Sequence, residues 1–179
     1  MRMCLLDVET SFYGLRKSVE GVVGEAASIL FYDSGLRGGR HYADALLKTH
    51  AMKADEAGYR QAILEYSEGG FGAFEIRELD FARGKARIVC RDPMAFEAYA
   101  AVTNHDLRKQ PVCDFSRGVV VGLLSGFSGR TGLGGYEESC RAAGAPECLF
   151  RIDEEEVTRV AAINRNRPAP RARDEARPG

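Results

Sequence analysis

No apolar run in this chain of 179 residues approaches the roughly 18–20 residues needed to span a bilayer, so no membrane span is expected. A basic excess is lacking too. Lys and Arg total 25 against 26 Asp and Glu, for a formal net charge of -1. General nucleic-acid binders carry a strong positive excess, so no nucleic-acid partner is expected. Histidine is scarce: His41, His50 and His105 are the only ones, and none falls in a Cys-His or Ser-His-Asp pattern. There is no Gly-Lys-Ser/Thr phosphate loop. Gly129-Arg130-Thr131-Gly132-Leu133-Gly134 clusters glycines in the reverse of the dinucleotide spacing and precedes an expected strand. Gly70-Phe71-Gly72 is followed by no helix. Both read as flexible turns. The N-terminus reaches Asp7 too early for a secretory signal, so a cytoplasmic location is expected.

What is present fits one compact domain with a modest core: 45% of residues are hydrophobic, an ordinary globular fraction. The five cysteines are Cys4, Cys90, Cys113, Cys140 and Cys148. An odd count without a secretory signal is poor evidence for a disulfide framework. In a reducing compartment, clustered cysteines more often bind metal or act as thiols. Three of the five fall within residues 113–148.

Apolar residues at three- and four-residue spacing (Phe12, Leu15, Val19, Val22, Val23, then Ala26, Ile29, Leu30) predict helix over 10–33, with Gly21 and Gly24 as possible breaks. Gly35, Gly38 and Gly39 mark a turn, and further helices are expected over 39–51 and 54–67, the latter opening near Asp55. Alternation then predicts a hairpin over 72–90 around Arg83-Gly84. Asp92-Pro93 starts another helix, with Phe96, Tyr99 and Ala100 inward. Residues 114–127 read as helix, with Gly118, Gly122 and Gly126 forming a small-residue stripe suited to close helix packing. A second hairpin joins 136–141 to 148–152. The domain is taken as 1–153. Beyond it lie a charged helix end and, from 164 to 179, an Arg/Pro-rich tail expected to be disordered.

Zinc favours thiolate, imidazole and carboxylate ligands in a tetrahedral arrangement. Cys140 and Cys148 flank a hairpin turn, and strands pair at about 4.8 Å, so their sulfurs can face one point. Glu137 can join them if the strand bends or bulges. Glu138 rivals it, but strand faces alternate and only one of the two can point at a metal. Cys113 precedes a helix and can approach from the side, and His105 is an alternative ligand. The competing reading is that these cysteines are small buried hydrophobes.

Residues 113–152 also carry a resemblance. Cys113-Asp114-Phe115-Ser116-Arg117-Gly118, Glu137-Glu138-Ser139-Cys140 with Ala143-Gly144, and Cys148-Leu149-Phe150 resemble the 4-vinyl reductase domain family. That family runs Cys-Asp, small-Arg-Gly, Glu-x-x-Cys, a Gly turn, Cys-x-Phe. The earlier helices and the Gly69-Gly70-Phe71-Gly72 entry to the first strand fit more loosely. The resemblance implies an α+β fold like that of the transport-particle subunits of vesicle trafficking: a small antiparallel sheet packed against helices. It implies a small-molecule pocket between the two layers, and a homodimer to which the N-terminal helices contribute. In the related sensor domains of aromatic-responsive transcriptional activators, zinc is held by ligands matching Cys113, Glu137, Cys140 and Cys148. The resemblance therefore selects Glu137 over Glu138.

Four protein ligands make a closed site, so the implied zinc is structural and no catalytic residue is assigned. Asp114 and Arg117 are expected to support the site structurally. Candidate walls for a small hydrophobic or aromatic ligand are Phe71, Phe74, Phe96, Tyr99, Val120, Leu124, Phe127 and Tyr136. No ATPase module and no helix-turn-helix segment follows residue 152, so a sensor or carrier would act through a separate regulatory protein. Two alternatives stand beside it. One is an enzyme or accessory protein in tetrapyrrole vinyl reduction; the other is an interaction scaffold without a ligand.

Overall fold

The structure, a computed structural model, describes residues 7–103 and 111–155. Cys4, His105 and the tail after residue 155 lie outside the described residues. The Asp7 side chain accepts from Thr10 N at 2.6 Å and caps a short turn, Val8–Phe12, that leads into helix α1, Tyr13–Val23. Gly24 ends α1 at a positive φ of 61°, where glycine carries no steric penalty. A 3₁₀ turn, Gly24–Ala26, hands the chain to α2, Ala27–Thr49. Helix α3, Glu56–Tyr66, is capped by Asp55, whose side chain accepts from Gly58 N at 2.8 Å.

Two expectations need correction here. Gly35, Gly38 and Gly39 do not turn the chain; they lie inside α2, which runs unbroken to Thr49. The reason is tertiary. A Cβ on Gly35 would sit 2.1 Å from the Phe115 carbonyl oxygen, and one on Gly39 would sit 2.2 Å from that of Val119. These two carbonyls belong to α5, Asp114–Ser128, and in return a Cβ on its Gly118 or Gly122 would sit 2.2 or 2.3 Å from the Tyr32 or Leu36 carbonyl oxygen. Two helices meet backbone to backbone along paired glycine stripes. Each helix-interior glycine costs about 1 kcal/mol of propensity against alanine, and the close contact offsets it. The second correction concerns α1. Its buried face carries Tyr13 and Arg16, whereas Leu15 and Val22, expected inward, are 56% and 85% exposed. Val23, Ile29 and Leu30 are exposed as well.

The sheet is antiparallel throughout, in the order β1-β2-β4-β3, built from β1 (Phe74–Asp80), β2 (Lys85–Cys90), β3 (Leu133–Ser139) and β4 (Cys148–Glu154). Two hairpins lie side by side, joined through β2 and β4. Helix α4, Met94–Thr103, follows Pro93 as expected. One sheet face turns inward with Ile88, Cys90, Phe150 and Ile152 against the central helix α5. The other face is laced with ion pairs such as Arg91–Glu75 at 2.7 Å and Arg77–Glu147 at 2.9 Å. No helix among the described residues is long and apolar enough to cross a membrane.

Candidate metal centre

The second hairpin brings three of the four expected ligands together. The β3–β4 register shifts between Glu137 and Ser139, a bulge that rotates the strand locally. Glu137 turns inward with Leu133 and Gly135 by ordinary alternation and is 2% exposed, Glu138 turns outward to pair with Arg87 at 2.7 Å, and the bulge resets the alternation so that Cys140, three residues on, is buried too. After Cys140 the chain makes a 3₁₀ turn, Arg141–Ala143, closed by Gly144 in the left-handed conformation (φ 92°). Ala143 N and Ala145 N both donate to the Cys140 carbonyl, at 3.0 and 3.1 Å. The turn fixes where Cys140 points and returns the chain to Cys148. Cys113 comes from the other layer, as the residue immediately before α5.

The ligand atoms of Cys113, Glu137, Cys140 and Cys148 all lie within 4.8 Å of one another, and all four residues are buried. Cys148 Sγ is 3.6 Å from Cys113 Sγ and 4.0 Å from Cys140 Sγ. A tetrahedral zinc with Zn–S bonds of about 2.3 Å sets its sulfurs about 3.8 Å apart, so the spacing suits such an ion. The Arg141 backbone N–H donates to Cys148 Sγ at 3.3 Å, the kind of support a thiolate requires.

The electrostatics agree. Burial, and then the neighbouring Cys140, push the Glu137 carboxyl well above the usual carboxylate range. Hydrogen bonding to Cys140 and Cys148, with burial added, raises the Cys113 thiol. Cys140 is pulled far down because the Cys113 and Cys148 thiols donate to it. Without a cation, this pocket holds one sulfur anion at the expense of its neighbours. Four negative groups can share such a space only around a positive ion. The donor set therefore fits a metal ion.

A buried network holds the cluster's flanks. Arg16, 4% exposed, donates to the Val112 carbonyl and to Asp114 Oδ2, both at 2.8 Å, and to Glu20 at 2.9 Å. Asp114 Oδ1 accepts from Arg117 at 3.0 Å. Arg117 also donates to the Gly135 carbonyl at 3.1 Å, and its guanidinium lies 4.6 Å over the Tyr32 ring. Asp114 and Arg117 thus form an ion pair beside Cys113, in the structural role expected of them. Arg16 escaped sequence reading, because nothing in α1 marks one arginine as buried. Cys90 faces Cys148 across the β2–β4 register, and burial pushes its thiol up to about 12.

The eight expected pocket residues occupy separate places. Phe71 stacks on Tyr66 with ring centroids 4.4 Å apart, and Phe74 tilts against it at 5.0 Å. Val120, Leu124 and Phe127 lie along α5, where Phe127 meets Tyr59 at 6.4 Å. On α4, Tyr99 packs on Tyr13 at 6.3 Å and Phe96 lies under Arg141 at 4.3 Å. Tyr136 pairs with the exposed Arg151 on the sheet face opposite Glu137. Two residues that were not singled out mark the interior instead. Tyr66 and Ser116 are 3% and 0% exposed, and their hydroxyls approach one another. Neither makes a well-formed hydrogen bond among the described residues. A surface cleft of about 670 Å³ flanks Phe71, lined by Gly70 and Gly72 with Val8, Glu68, Met94 and Glu97.

The glycine-rich loop 129–134 lies between α5 and β3, with Gly129 capping α5. A dinucleotide cradle needs the reverse order, strand then helix.

These features define an α+β domain with a four-stranded antiparallel sheet on helices and a buried Cys₃Glu cluster that could hold a metal. No family model matches the sequence, and no curated protein matches it. The fold is similar to that of the phenol-responsive sensory domain of the transcription activator PoxR, solved with phenol. The TM-score is 0.76 at 20% identity, covering 94% of this chain and 86% of that one. It is also similar to a vinyl-4-reductase family protein from Methanocaldococcus jannaschii, with TM-score 0.55 at 16% identity over 86% of this chain and 84% of that one. At these identities the likeness is one of fold.

Proposed function

We propose that this chain is a small-molecule-binding domain of the vinyl-4-reductase type, stapled by a structural zinc on Cys113, Glu137, Cys140 and Cys148. It acts as a sensor or carrier in the cytoplasm and passes its output to a separate regulatory protein. The observation that carries the ligand reading is the pair of buried hydroxyls, Tyr66 and Ser116, which approach one another but make no well-formed hydrogen bond among the described residues, Tyr66 lying against the Phe71 and Phe74 rings. Buried polar groups are almost always satisfied, and each exception calls for an explanation. A small aromatic molecule with one hydroxyl supplies both needs: a ring for the aromatic wall and a polar atom for the two hydroxyls. The fold shared with a phenol-responsive sensory domain supports the same class of ligand.

When bound, zinc supplies cross-linking and charge neutralisation. The residues supply everything else: Cys140 and Cys148 fix the hairpin, and Cys113 ties that hairpin to α5. With four protein ligands no position stays open for substrate, which favours binding over catalysis. A homodimer through α1 and the start of α2 belongs to this reading, because Leu15, Val22, Ile29 and Leu30 are exposed there.

The test is calorimetric titration of the zinc-loaded protein with phenol. The parent should bind, and Tyr66→Phe should weaken binding by about ten-fold, the loss of one buried hydrogen bond. Absence of phenol binding, with no small molecule retained in native mass spectrometry, would favour a scaffold. Turnover of a vinyl-bearing tetrapyrrole supplied with reductant would move the assignment to an enzyme.

A further inference from the structure

We propose that Arg16 is a positioning residue for the metal-binding segment, and that through it the occupancy of the site by zinc sets how firmly α1 is docked. The inference rests on the zinc reading above and adds a regulated element to it.

Arg16 is the polar anchor of a thinly attached helix. Only Tyr13 and Arg16 are buried in α1, and its apolar Leu15 and Val22 face solvent. Two of the three partners of the guanidinium, the Val112 carbonyl and Asp114 Oδ2, flank Cys113 directly. The third, Glu20, lies one turn along α1 and holds the fork in orientation. An arginine suits this role because its planar fork holds a carbonyl and a carboxylate in fixed geometry at once, which a lysine ammonium, a point charge on a flexible stem, does less well.

The network continues past Asp114. Arg117 takes the other Asp114 oxygen and reaches the Gly135 carbonyl, two residues before Glu137. The Tyr32 hydroxyl accepts from Gly135 N at 3.0 Å. One connected set of buried polar contacts therefore runs from α1 through the Cys113 segment to the strand that carries Glu137. Groups that hold the flanks of metal ligands tune metal affinity, and the dependence is mutual, since whatever fixes the ligands also fixes their supports. Loss of zinc would free Cys113 from the hairpin, loosen residues 112–114 and release the anchor of α1. The helix that would loosen is the one presenting exposed Leu15 and Val22, so the state of the site would be readable at the surface.

Amide exchange by mass spectrometry, on the full chain with zinc and after chelation, tests this alongside metal stoichiometry. In the parent, zinc removal should speed exchange in residues 13–23 by about ten-fold or more, as well as in the ligand segments. Arg16→Met keeps the apolar stem and deletes the fork. Its zinc should leave about 10–100-fold faster, and its α1 should exchange quickly with or without zinc. Arg16→Lys should recover part of both. A purely structural arginine would slow or speed α1 exchange without changing its response to zinc. Parent protein that binds zinc but exchanges α1 identically in both states overturns the coupling, and that arm needs no variant to fold. Parent protein that takes up no zinc removes the metal reading and this inference with it, and stoichiometry distinguishes the two failures.

Discussion

Glu137 and Glu138 are adjacent and chemically alike, yet one sits 2% exposed among three sulfurs and the other pairs with Arg87 at the surface. Their variants should differ accordingly. Glu137→Gln should lower zinc affinity by about ten-fold or more in a chelator competition, because it removes one anionic ligand. Glu138→Gln should leave affinity unchanged within about two-fold, as expected for a half-exposed surface pair. Equal losses in both would mean that the strand does not place the two side chains on opposite faces as described. The approach of Cys140 and Cys148 was legible from the hairpin turn between them, whereas the choice of Glu137 over Glu138 came from the family resemblance; the four residues do converge. Arg16, Tyr66 and Ser116 were not legible. An arginine in an amphipathic helix reads as solvated, and only a partner 96 residues away makes it otherwise. Tyr66 and Ser116 gain meaning only from lacking well-formed hydrogen bonds among the described residues, which is a property of the packed interior.

At the scale of elements, the α2–α5 pair sets the position of Cys113. The glycine stripe of α5 was legible from its four-residue spacing. Its counterpart in α2 reads locally as a turn, because propensity treats any glycine run as a break and cannot see the opposing backbone. Neighbouring glycines in α2 test the difference with opposite signs. Gly39→Ala places a methyl group 2.2 Å from the Val119 carbonyl oxygen and should destabilise by about 1–3 kcal/mol in urea denaturation. At Gly38 a Cβ meets nothing within 4 Å, so Gly38→Ala should stabilise by about 0.5–1 kcal/mol through helix propensity and reduced unfolded-state entropy. Loss of stability in both would argue that the turn expected from the sequence is real. The two hairpins and the Asp55-capped helix α3 were read correctly, since alternation, turn residues and caps are local signals.

For the whole molecule, the buried cluster joins the helical layer to the sheet, beside the polar contacts that Arg117 and Tyr32 make with Gly135. Cys113 belongs to the helical layer, and Glu137, Cys140 and Cys148 belong to the sheet or its hairpin turn. An ion there would close one end of the interior that holds Tyr66, Ser116 and the Phe71 and Phe74 rings. Binding energy at such a site is folding energy, so metal content and thermal stability should fall together. X-ray absorption at the zinc edge, on protein purified without added metal or chelator, tests this most directly. One zinc per chain is expected, with three sulfur neighbours at about 2.3 Å and one oxygen at about 2.0–2.2 Å, and Cys140→Ser should lose both the metal and the melting temperature that goes with it. A zinc-free protein, equally stable after Cys140→Ser, would contradict the assignment of Cys113, Glu137, Cys140 and Cys148 as a metal centre.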